Sequence, residues 1–302
     1  MADVLISGSI TYDILLPVND SFRRLIDQRA SDALSVGYNV ESLSVGFGGP
    51  AANMSFHLSR LGVEALPIAC AGRDFAPYES WLTRNQVDQS LLLHIADAMT
   101  ARVFISTDTE QNQLLGYFPG AMAHSGRCKL RQLGARLAVA GPDDRQTIIT
   151  RVEQFRQLGL PILFDPGQAV TSLGKAQLEY ALNAVRWLIV NEFERDYIES
   201  LLGKPITATA ANLEAVIVTL GAAGSELINR GLSRQVPAKF VEKPLDPTGC
   251  GDAFRAGLIA GMLEGKSLEE AMYQGSDSAA QNLQHRGAQG RLLDVTEMIG
   301  LV

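Results

Sequence analysis

The sequence predicts an α/β fold with a mostly parallel central sheet and helices on both faces. From about residue 65 to 190, apolar runs typical of buried strands alternate with longer runs of helical periodicity, and this alternation indicates a parallel sheet. Two glycine-rich turns, within 46–62 and 246–261, lead directly into helices. With 302 residues, 46% of them hydrophobic, the chain can bury one large α/β core or two small ones.

Composition and charge exclude several classes of function. The net charge of -7 and the lack of a basic stretch argue against nucleic acid as a partner, because Lys and Arg supply most of that affinity. There is no apolar run of about eighteen residues and no signal-like N-terminus, so we expect no membrane partner and a cytoplasmic location. The three cysteines and four histidines are scattered, so we expect neither a disulfide framework nor a structural metal.

The first predicted strand is VLISGSITYD, residues 4–13. Its apolar part ends at Gly8, and Thr11 and Asp13 follow that end. Ligands bind at the ends of strands in open α/β sheets, which makes both residues candidates for substrate binding. The alternative is that Asp13 is an ordinary acid on a surface loop.

Segments of about 14–46 and 98–120 predict a small antiparallel sheet that is separate from the main one. The stretch SVGYNVESLSVGF alternates with period two, and ARVFISTDTEQNQLLGYFPG predicts a hairpin around Asp108 to Asn112. A lid that keeps water away from a reaction is the natural use of such a sheet.

The first glycine-rich turn, GFGGPAANMSFHLSRLG at 46–62, opens a helix with Pro50 near its first position and Gly62 as its stop. Gly46, Gly48 and Ala51 also satisfy the dinucleotide pattern G-x-G-x-x-G/A. That pattern usually opens the first βαβ unit, whereas here about forty residues precede it. A dinucleotide-dependent oxidoreductase is therefore an alternative of low weight.

Two further turns follow predicted strands. RWLIVNEFERDYIESLL (186–202) passes from a strand into a helix through Asn191 and Glu194, and AVIVTLGAAGSELI (215–228) carries Thr219, Gly221 and Gly224 after a strand. Each turn also has a purely structural explanation. Glu194 could simply be stabilised by the helix dipole, and the turn after Thr219 could be an ordinary β-hairpin turn.

The second glycine-rich turn, DPTGCGDAFRAGLIAG at 246–261, predicts an anion site at the start of a buried helix. Unpaired N–H groups and the helix dipole favour an anion there, and Gly249 and Gly251 have no side chain to block it. Asp252 places a carboxylate beside this site, although acids are also common in first helical turns. Cys250 places a thiol there, and we expect its pKa to fall and its reactivity to rise.

Taken together, these motifs resemble those of the PfkB, or ribokinase-like, family of sugar and nucleoside kinases. The stretch 246–254 is similar to the signature D-T-x-G-A-G-D-x-F, with Cys250 where alanine is usual. The other similarities are G-G-x-x-x-N at Gly48, Gly49 and Asn53, N-x-x-E at Asn191 and Glu194, and T-x-G-x-x-G at Thr219, Gly221 and Gly224. The resemblance spans nearly the whole chain, so we expect a single ribokinase-like kinase domain over 1–302.

The resemblance implies transfer of the γ-phosphoryl group of ATP to a primary hydroxyl. Asp252 would be the general base, and the backbone of Gly249, Cys250 and Gly251 would stabilise the transferring group. The implied substrate-binding residues are Thr11, Asp13, Gly48, Gly49 and Asn53, to which Phe104 and Tyr117 of the lid are added as apolar contacts. The implied ATP-binding residues are Asn191, Thr219, Gly221, Gly224, Thr248, Gly249, Gly251 and Asn282. Glu194 would hold Mg²⁺ through water, and Asp246 is a candidate site for K⁺.

The stretches QNQLLGYFPGAM, AVAGPD and FDPGQ resemble bacterial adenosine and nucleoside kinases most. We therefore expect a nucleoside substrate, adenosine first, with a ribokinase- or fructokinase-type sugar kinase as the alternative. A catalytically idle ligand-binding protein of the same fold is a further alternative, which Asp252 disfavours. A homodimer through the lid is also expected.

Overall fold

The computed structural model describes residues 2–27, 37–130, 134–210, 212–229, 231–293 and 297. Part of the predicted lid segment, residues 28–36, lies outside this range. An eight-stranded sheet forms the centre of the molecule. In spatial order its strands are β14 (Leu232–Val236), β13 (Ser225–Asn229), β12 (Ala215–Thr219), β11 (Trp187–Asn191), β10 (Ile162–Phe164), β9 (Leu137–Ala140), β1 (Val4–Ser7) and β4 (Ala65–Ile68).

The six strands from β12 to β4 are parallel, whereas β13 and β14 are antiparallel additions at one edge. Alternate residues of each strand enter separate apolar cores. Leu188 and Val190 belong to one core, and Ile189 belongs to the other. The prediction of a mostly parallel sheet covered on both faces is therefore confirmed.

Helices cover the two faces in separate groups. The helices are α1 (Phe22–Asp27), α2 (Pro50–Arg60), α3 (Ala76–Arg84), α4 (Arg145–Gln157), α5 (Lys175–Ala184), α6 (Glu192–Leu202), α7 (Cys250–Leu263) and α8 (Leu268–Asn282). Helices α4, α5 and α6 pack in the core of Leu188, and α2, α7 and α8 pack in the core of Ile189. Helices α2 and α7 are the two that follow the glycine-rich turns, and both lie on the same face.

A second, five-stranded sheet has the order β15 (Leu292–Leu293), β3 (Ser44–Gly48), β2 (Thr11–Pro17), β7 (Ala101–Thr107) and β8 (Gln113–Phe118). The predicted hairpin at 108–112 joins β7 to β8 and is confirmed. The predicted antiparallel pairing is found for β15 with β3, β2 with β3 and β7 with β8, but it is wrong for β2 and β7, which are parallel. These two strands are joined by a long crossover instead of a tight hairpin, which permits parallel pairing. A remaining pair, β5 (Cys70–Gly72) and β6 (Leu93–Ile95), forms a separate two-stranded sheet.

The predicted first strand, 4–13, consists of two strands in two sheets. β1 ends at Ser7, and β2 begins at Thr11. Between them the chain passes over the start of α2, where the N–H of Ala51 donates to the carbonyl of Ser9. This crossing carries Asp13 away from the central sheet and places it on the second sheet.

Candidate active site

Three predicted residues from distant parts of the chain meet between the two sheets. Asp13 lies on β2, Asn53 on α2 and Asp252 in the first turn of α7. The amide nitrogen Nδ2 of Asn53 donates to Oδ2 of Asp252 at 2.7 Å. Thr11 Oγ1 donates to Oδ1 of Asp13 at 2.8 Å. Two carboxylates and one amide therefore face a common space.

Gly48 and Gly49 provide the close approach that this cluster requires. A Cβ atom at Gly48 would lie 2.3 Å from an oxygen of Asp13. Gly49 has a φ of +92°, and a Cβ there would lie 2.5 Å from the carbonyl oxygen of Ser9. Only glycine has neither the steric conflict nor the strain of positive φ. The turn between β3 and α2 is thus shaped around the Asp13 side chain.

Burial raises the pKa of both carboxylic acids. The pKa of Asp13 rises to about 7, chiefly by burial and further by the negative charges of Asp252 and Asp246, against the hydrogen bond from Thr11. The pKa of Asp252 rises to about 6, again chiefly by burial, against the opposing effects of Arg255 and the hydrogen bond from Asn53. A base whose pKa lies near neutral can accept a proton efficiently and still be ionised at pH 7.

The turn before α7 is held by its own polar residues. Gly249 is the N-cap with a φ of +77°, and a Cβ there would lie 2.5 Å from Ala288. The carboxylate of Asp246 accepts hydrogen bonds from the backbone N–H groups of Thr248 at 2.9 Å and Gly287 at 2.8 Å. Asn282 donates to the carbonyl of Thr248 at 2.8 Å. Asn282 therefore fastens this turn to the end of α8, and Asp246 fastens it to the segment that follows. A cation at Asp246 stays a prediction.

The prediction of a reactive Cys250 is wrong in its electrostatic part. The thiol sits at the start of α7, but burial raises its pKa, and the carboxylates of Asp246 and Asp252 raise it further, against a hydrogen bond from Asn282. Its sulfur also lies 3.7 Å from the carbonyl oxygen of Ala279, to which it donates. Desolvation and nearby negative charge both favour the protonated thiol here.

A buried ion pair beside Asp252 was not predicted. The guanidinium of Arg255 contacts Asp165 at 2.6 and 2.7 Å, and both side chains are almost fully buried. Arg255 is one turn after Asp252 on α7, and Asp165 follows β10 in the turn FDPGQ. A second charged residue, one turn after Asp252 in a helix whose remaining residues are uncharged, was the sequence signal that could have revealed Arg255, because an unpaired charge there would be costly.

The two predicted phosphate-side motifs lie next to each other. Asn191 and Thr219 are register partners at the ends of β11 and β12. Asn191 and Glu194 form a reciprocal cap at the start of α6, with the Asn191 N–H and side-chain amide donating to Glu194 at 2.9 and 3.0 Å. Burial raises the pKa of Glu194, and Asp165 raises it further. Glu194 therefore lies within electrostatic range of the Arg255–Asp165 pair.

The turn with Gly221 and Gly224 is a β-hairpin turn between β12 and β13. Both glycines have positive φ, and a Cβ at Gly224 would lie 2.1 Å from the carbonyl oxygen of Val236. This geometry requires glycine whether or not a nucleotide binds. Contact of Thr219, Gly221 and Gly224 with ATP therefore stays a prediction.

Strand pairing separates the two lid aromatics that were expected to contact substrate. Asp13, Val103 and Tyr117 are register partners across β2, β7 and β8, so their side chains share one face. Phe104 is the partner of Ile14 and Gly116 and lies on the opposite face. The prediction for Phe104 is therefore wrong. Val103, which the sequence analysis missed, takes its place beside Tyr117 on the face of Asp13.

Glu194 is suited to the kind of magnesium site that ATP-dependent enzymes use. Within the ranges that the structure describes, no three His, Cys, Asp or Glu side chains cluster closely enough to enclose a metal ion. Mg²⁺ retains several waters and needs only one or two carboxylates beside substrate phosphates. A single buried carboxylate fixed by Asn191 fits that requirement.

The site is defined by this chemistry and not by cavity size. A cavity of about 840 Å³ lies elsewhere, with Ala2, Val63 and Asp88 among its lining residues, and it shares none of the side chains above. None of the described helices combines the length and apolar character needed to cross a bilayer.

Comparison with known proteins identifies the architecture. The family model of pfkB carbohydrate kinases matches residues 3–294. The chain belongs to this kinase family. It is an ATP-dependent kinase of ribokinase-like fold, as its resemblance predicted.

Among similar proteins, the nucleoside kinase of Methanocaldococcus jannaschii is 27% identical over 248 residues, which cover 82% of each chain. The ribokinase of Haemophilus influenzae is 24% identical over 268 residues, 83% of this chain and 86% of that one. The structure of Burkholderia thailandensis nucleoside kinase in complex with inosine superposes with a TM-score of 0.87 at 30% identity, covering 95% of this chain and 92% of that chain.

Proposed function

We propose that this kinase transfers the γ-phosphoryl group of ATP to the 5′ hydroxyl of a purine nucleoside, with adenosine as the first candidate. The observation that carries the proposal is the Asp252 carboxylate at the start of α7. Its Oδ2 accepts from Asn53, while Oδ1 has no hydrogen-bond partner among the described residues. The relatives add support, since the Burkholderia thailandensis nucleoside kinase was solved with inosine and with ADP and inosine.

The reaction needs one proton acceptor and one anion site, and α7 provides both. As the substrate hydroxyl oxygen bonds to the γ-phosphorus and the bond from phosphorus to the β,γ-bridging oxygen breaks, the hydroxyl proton passes to Asp252 Oδ1. The N–H groups at residues 249–252 stabilise the charge on the transferring group. Asp13, fixed by Thr11, accepts hydrogen bonds from the sugar hydroxyls and orients the reacting one.

Mg²⁺, when bound, would supply positive charge that neutralises the ATP phosphates. In this chain Glu194 would hold it through water, and Asn191 keeps that carboxylate in place through its two donated hydrogen bonds. Arg255 lowers the pKa of both Glu194 and Asp252. The Arg255–Asp165 pair therefore interacts electrostatically with both carboxylates.

The lid face supports a substrate with an apolar base. Val103 and Tyr117 share the face of Asp13, and the hydroxyl of Tyr117 lies against the sulfur of Met122 at 2.9 Å. One aromatic stacking contact contributes about 0.5–1.5 kcal/mol, and tenfold discrimination corresponds to about 1.4 kcal/mol. We therefore expect kcat/KM for adenosine or inosine to exceed that for ribose or fructose at least tenfold.

A panel of nucleosides and free sugars, assayed by ADP release, measures this preference. Equal efficiency with ribose and adenosine would instead favour the sugar-kinase alternative. Tyr117→Ala should reduce the preference by lowering kcat/KM for nucleosides more than for ribose, which separates base recognition from general lid damage.

The role of Asp252 is tested by Asp252→Asn, which keeps the shape and removes the base. Loss of a general base typically costs ~10²–10⁴ in rate, so we expect kcat to fall at least a hundredfold while affinities for ATP and nucleoside stay near the parent's. Glu269→Gln is the matched control, since Glu269 is also an acid in a first helical turn, at the start of α8. It should keep kcat within about twofold, whereas a tenth of parental kcat or more in Asp252→Asn would refute the base assignment.

We also propose that the lid pairs with the lid of a second copy. β8 is an edge strand that is exposed along its whole length. It nevertheless carries Leu114, Leu115 and Phe118, each 44–49% exposed. An exposed apolar edge strand tends to pair with another chain, and a second copy offers an identical strand.

A further inference from the structure

Asn53 contacts the proposed base through an amide whose orientation matters. The group can present either NH₂ or oxygen to Asp252, and only NH₂ attracts a carboxylate. The opposite orientation would place two oxygen atoms against each other. The ionised carboxylate favours the first orientation, and because Asn53 is 3% exposed, its oxygen then needs a hydrogen-bond donor from the protein instead of water.

The side-chain oxygen of Asn53 accepts a hydrogen bond from Gln289. Nε2 of Gln289 donates to Oδ1 of Asn53 at 2.8 Å, across a sequence separation of 236 residues. Gln289 is itself 1% exposed. If Gln289 were turned around, its oxygen would face the oxygen of Asn53, and Asn53 would have to turn its NH₂ away from Asp252.

Two groups on α3 fix the orientation of Gln289. The indole N–H of Trp81 can only donate, and it donates to Oε1 of Gln289 at 2.9 Å. The hydroxyl hydrogen of Tyr78 is used on the carbonyl oxygen of Gly48 at 2.8 Å, so the hydroxyl oxygen accepts from Nε2 of Gln289 at 2.5 Å. Both contacts require the same orientation of the Gln289 amide.

The chain of donors and acceptors therefore has one direction, from Trp81 through Gln289 and Asn53 to Asp252. We propose that Gln289 is a positioning residue that orients the Asn53 amide so that its NH₂ donates to Oδ2 of Asp252. Hydrogen bonds with Trp81 and Tyr78 fix the orientation of Gln289 itself. Oδ1 of Asp252 is then left to accept the substrate proton. This inference rests on the proposed role of Asp252 as base.

The same hydrogen bond keeps the base ionised. Donation from Asn53 lowers the pKa of Asp252 against the larger effect of burial. The charged groups around Asp252 are Arg255 on its own helix, Asp165 after β10 and Asp13 on β2. Gln289→Met and Trp81→Phe leave all three charges in place and add none, so a change in the pH profile of these two variants would report the amide orientation.

The test compares Trp81→Phe, Gln289→Met and Gln289→Glu. Trp81→Phe removes the N–H that orients Gln289 and keeps an aromatic ring. Gln289→Met removes both the oxygen and the NH₂ of the amide at similar volume. Gln289→Glu retains only acceptors, so Asn53 must donate to it and turn its oxygen toward Asp252. Trp187→Phe is the matched control, because the buried indole N–H of Trp187 has no hydrogen-bond partner in the described residues.

We expect kcat at pH 7 to fall roughly tenfold in Gln289→Met, more in Gln289→Glu and less in Trp81→Phe, since hydrogen bonds to charged groups are among the stronger ones. The acid limb of the kcat profile should move upward by about one pH unit in Gln289→Met, as expected when a donor to the ionised form is lost. KM for ATP should stay within about twofold of the parent in every variant, and Trp187→Phe should keep the parental profile.

A purely structural role for Gln289 would lower the thermal midpoint and leave the acid limb unchanged, and that result would overturn the proposal. If a Gln289 variant does not fold, Trp81→Phe alone decides, through its pH profile. Failure of the proposed function would look different, because Asp252→Asn would then remain active. An inactive Asp252→Asn with unmoved acid limbs would refute only the positioning role.

Discussion

At the scale of single residues, the site holds two carboxylates, Asp13 and Asp252, whose burial in the folded protein has an electrostatic cost. The pKa of Asp252 is about 6 in the folded state, against an ordinary value of 3.8. The folded chain therefore binds more protons at this site between about pH 4 and pH 6, and stability falls as pH rises through that window. Above it the full penalty is present, because the carboxylate is charged and largely desolvated.

Asp252→Asn should consequently be more stable than the parent at pH 8, by about 1–3 kcal/mol at roughly 1.4 kcal/mol per pKa unit. The difference should shrink below pH 6 and vanish near pH 4. Urea unfolding at several pH values measures it, with Asp97→Asn on an exposed turn as control. A gain in stability that is independent of pH would contradict the electrostatic explanation.

Residues found from the sequence and residues missed differ in how they are recognised. Asp13, Asn53 and Asp252 belong to short local motifs, and the structure brings all three together. Gln289 and Trp81 belong to no such motif, since a glutamine and a tryptophan are ordinary in any helix or turn. Their roles come from contacts between residues far apart in sequence, which local periodicity cannot predict.

At the scale of elements, the turn before α7 depends on the absence of a side chain at Gly249. Gly249→Ala should strain the backbone at positive φ and displace Ala288, the neighbour of Gln289, because a Cβ would lie 2.5 Å from it. We expect a loss of more than about 2 kcal/mol in unfolding free energy and of at least tenfold in kcat.

Gly265 supplies the matched control for that change, just beyond the other end of α7. Its φ is +82°, and a Cβ added there would have no neighbour within 4 Å. Gly265→Ala should cost only the backbone strain, about 1–2 kcal/mol, and leave kcat unchanged. Equal effects of the two substitutions, by denaturation and by assay, would show that contact with Ala288 is unimportant.

The elements themselves were mostly predictable, because alternating apolar and amphipathic runs determine a parallel α/β sheet. The errors arose where tertiary structure overrides the local pattern. The run 4–13 is continuously apolar at its start, yet it divides between two sheets where it crosses α2. Phe104 was expected to contact substrate on composition alone, and only the register of β2, β7 and β8 reveals its face.

At the scale of the whole molecule, the proposed lid–lid dimer can be tested on the face that does not carry Asp13. Leu114 is the register partner of Ser106, lies on the face of Phe104 and is 49% exposed. Leu114→Lys should shift sedimentation from dimer to monomer, because like charges would meet across the paired strands. Leu232→Lys is the control, since Leu232 is 70% exposed on β14, at the edge of the main sheet. A parent that sediments as a monomer would refute the dimer.

The pairing of β15 with β3 has a consequence for the order in which the protein matures during synthesis. Domains begin to fold from the N-terminal side as the chain emerges, so α2, α3 and the turn at Gly48 are available early. Gln289 and β15 emerge after the other described strands and helices. Until then the Asn53 amide lacks its hydrogen-bond donor Gln289, and on the proposed roles a nascent chain that already contains Asp252 would have reduced activity. On the proposed roles of Asp252 and Gln289, full activity thus requires the segment that closes the second sheet, and that segment is synthesised after α7.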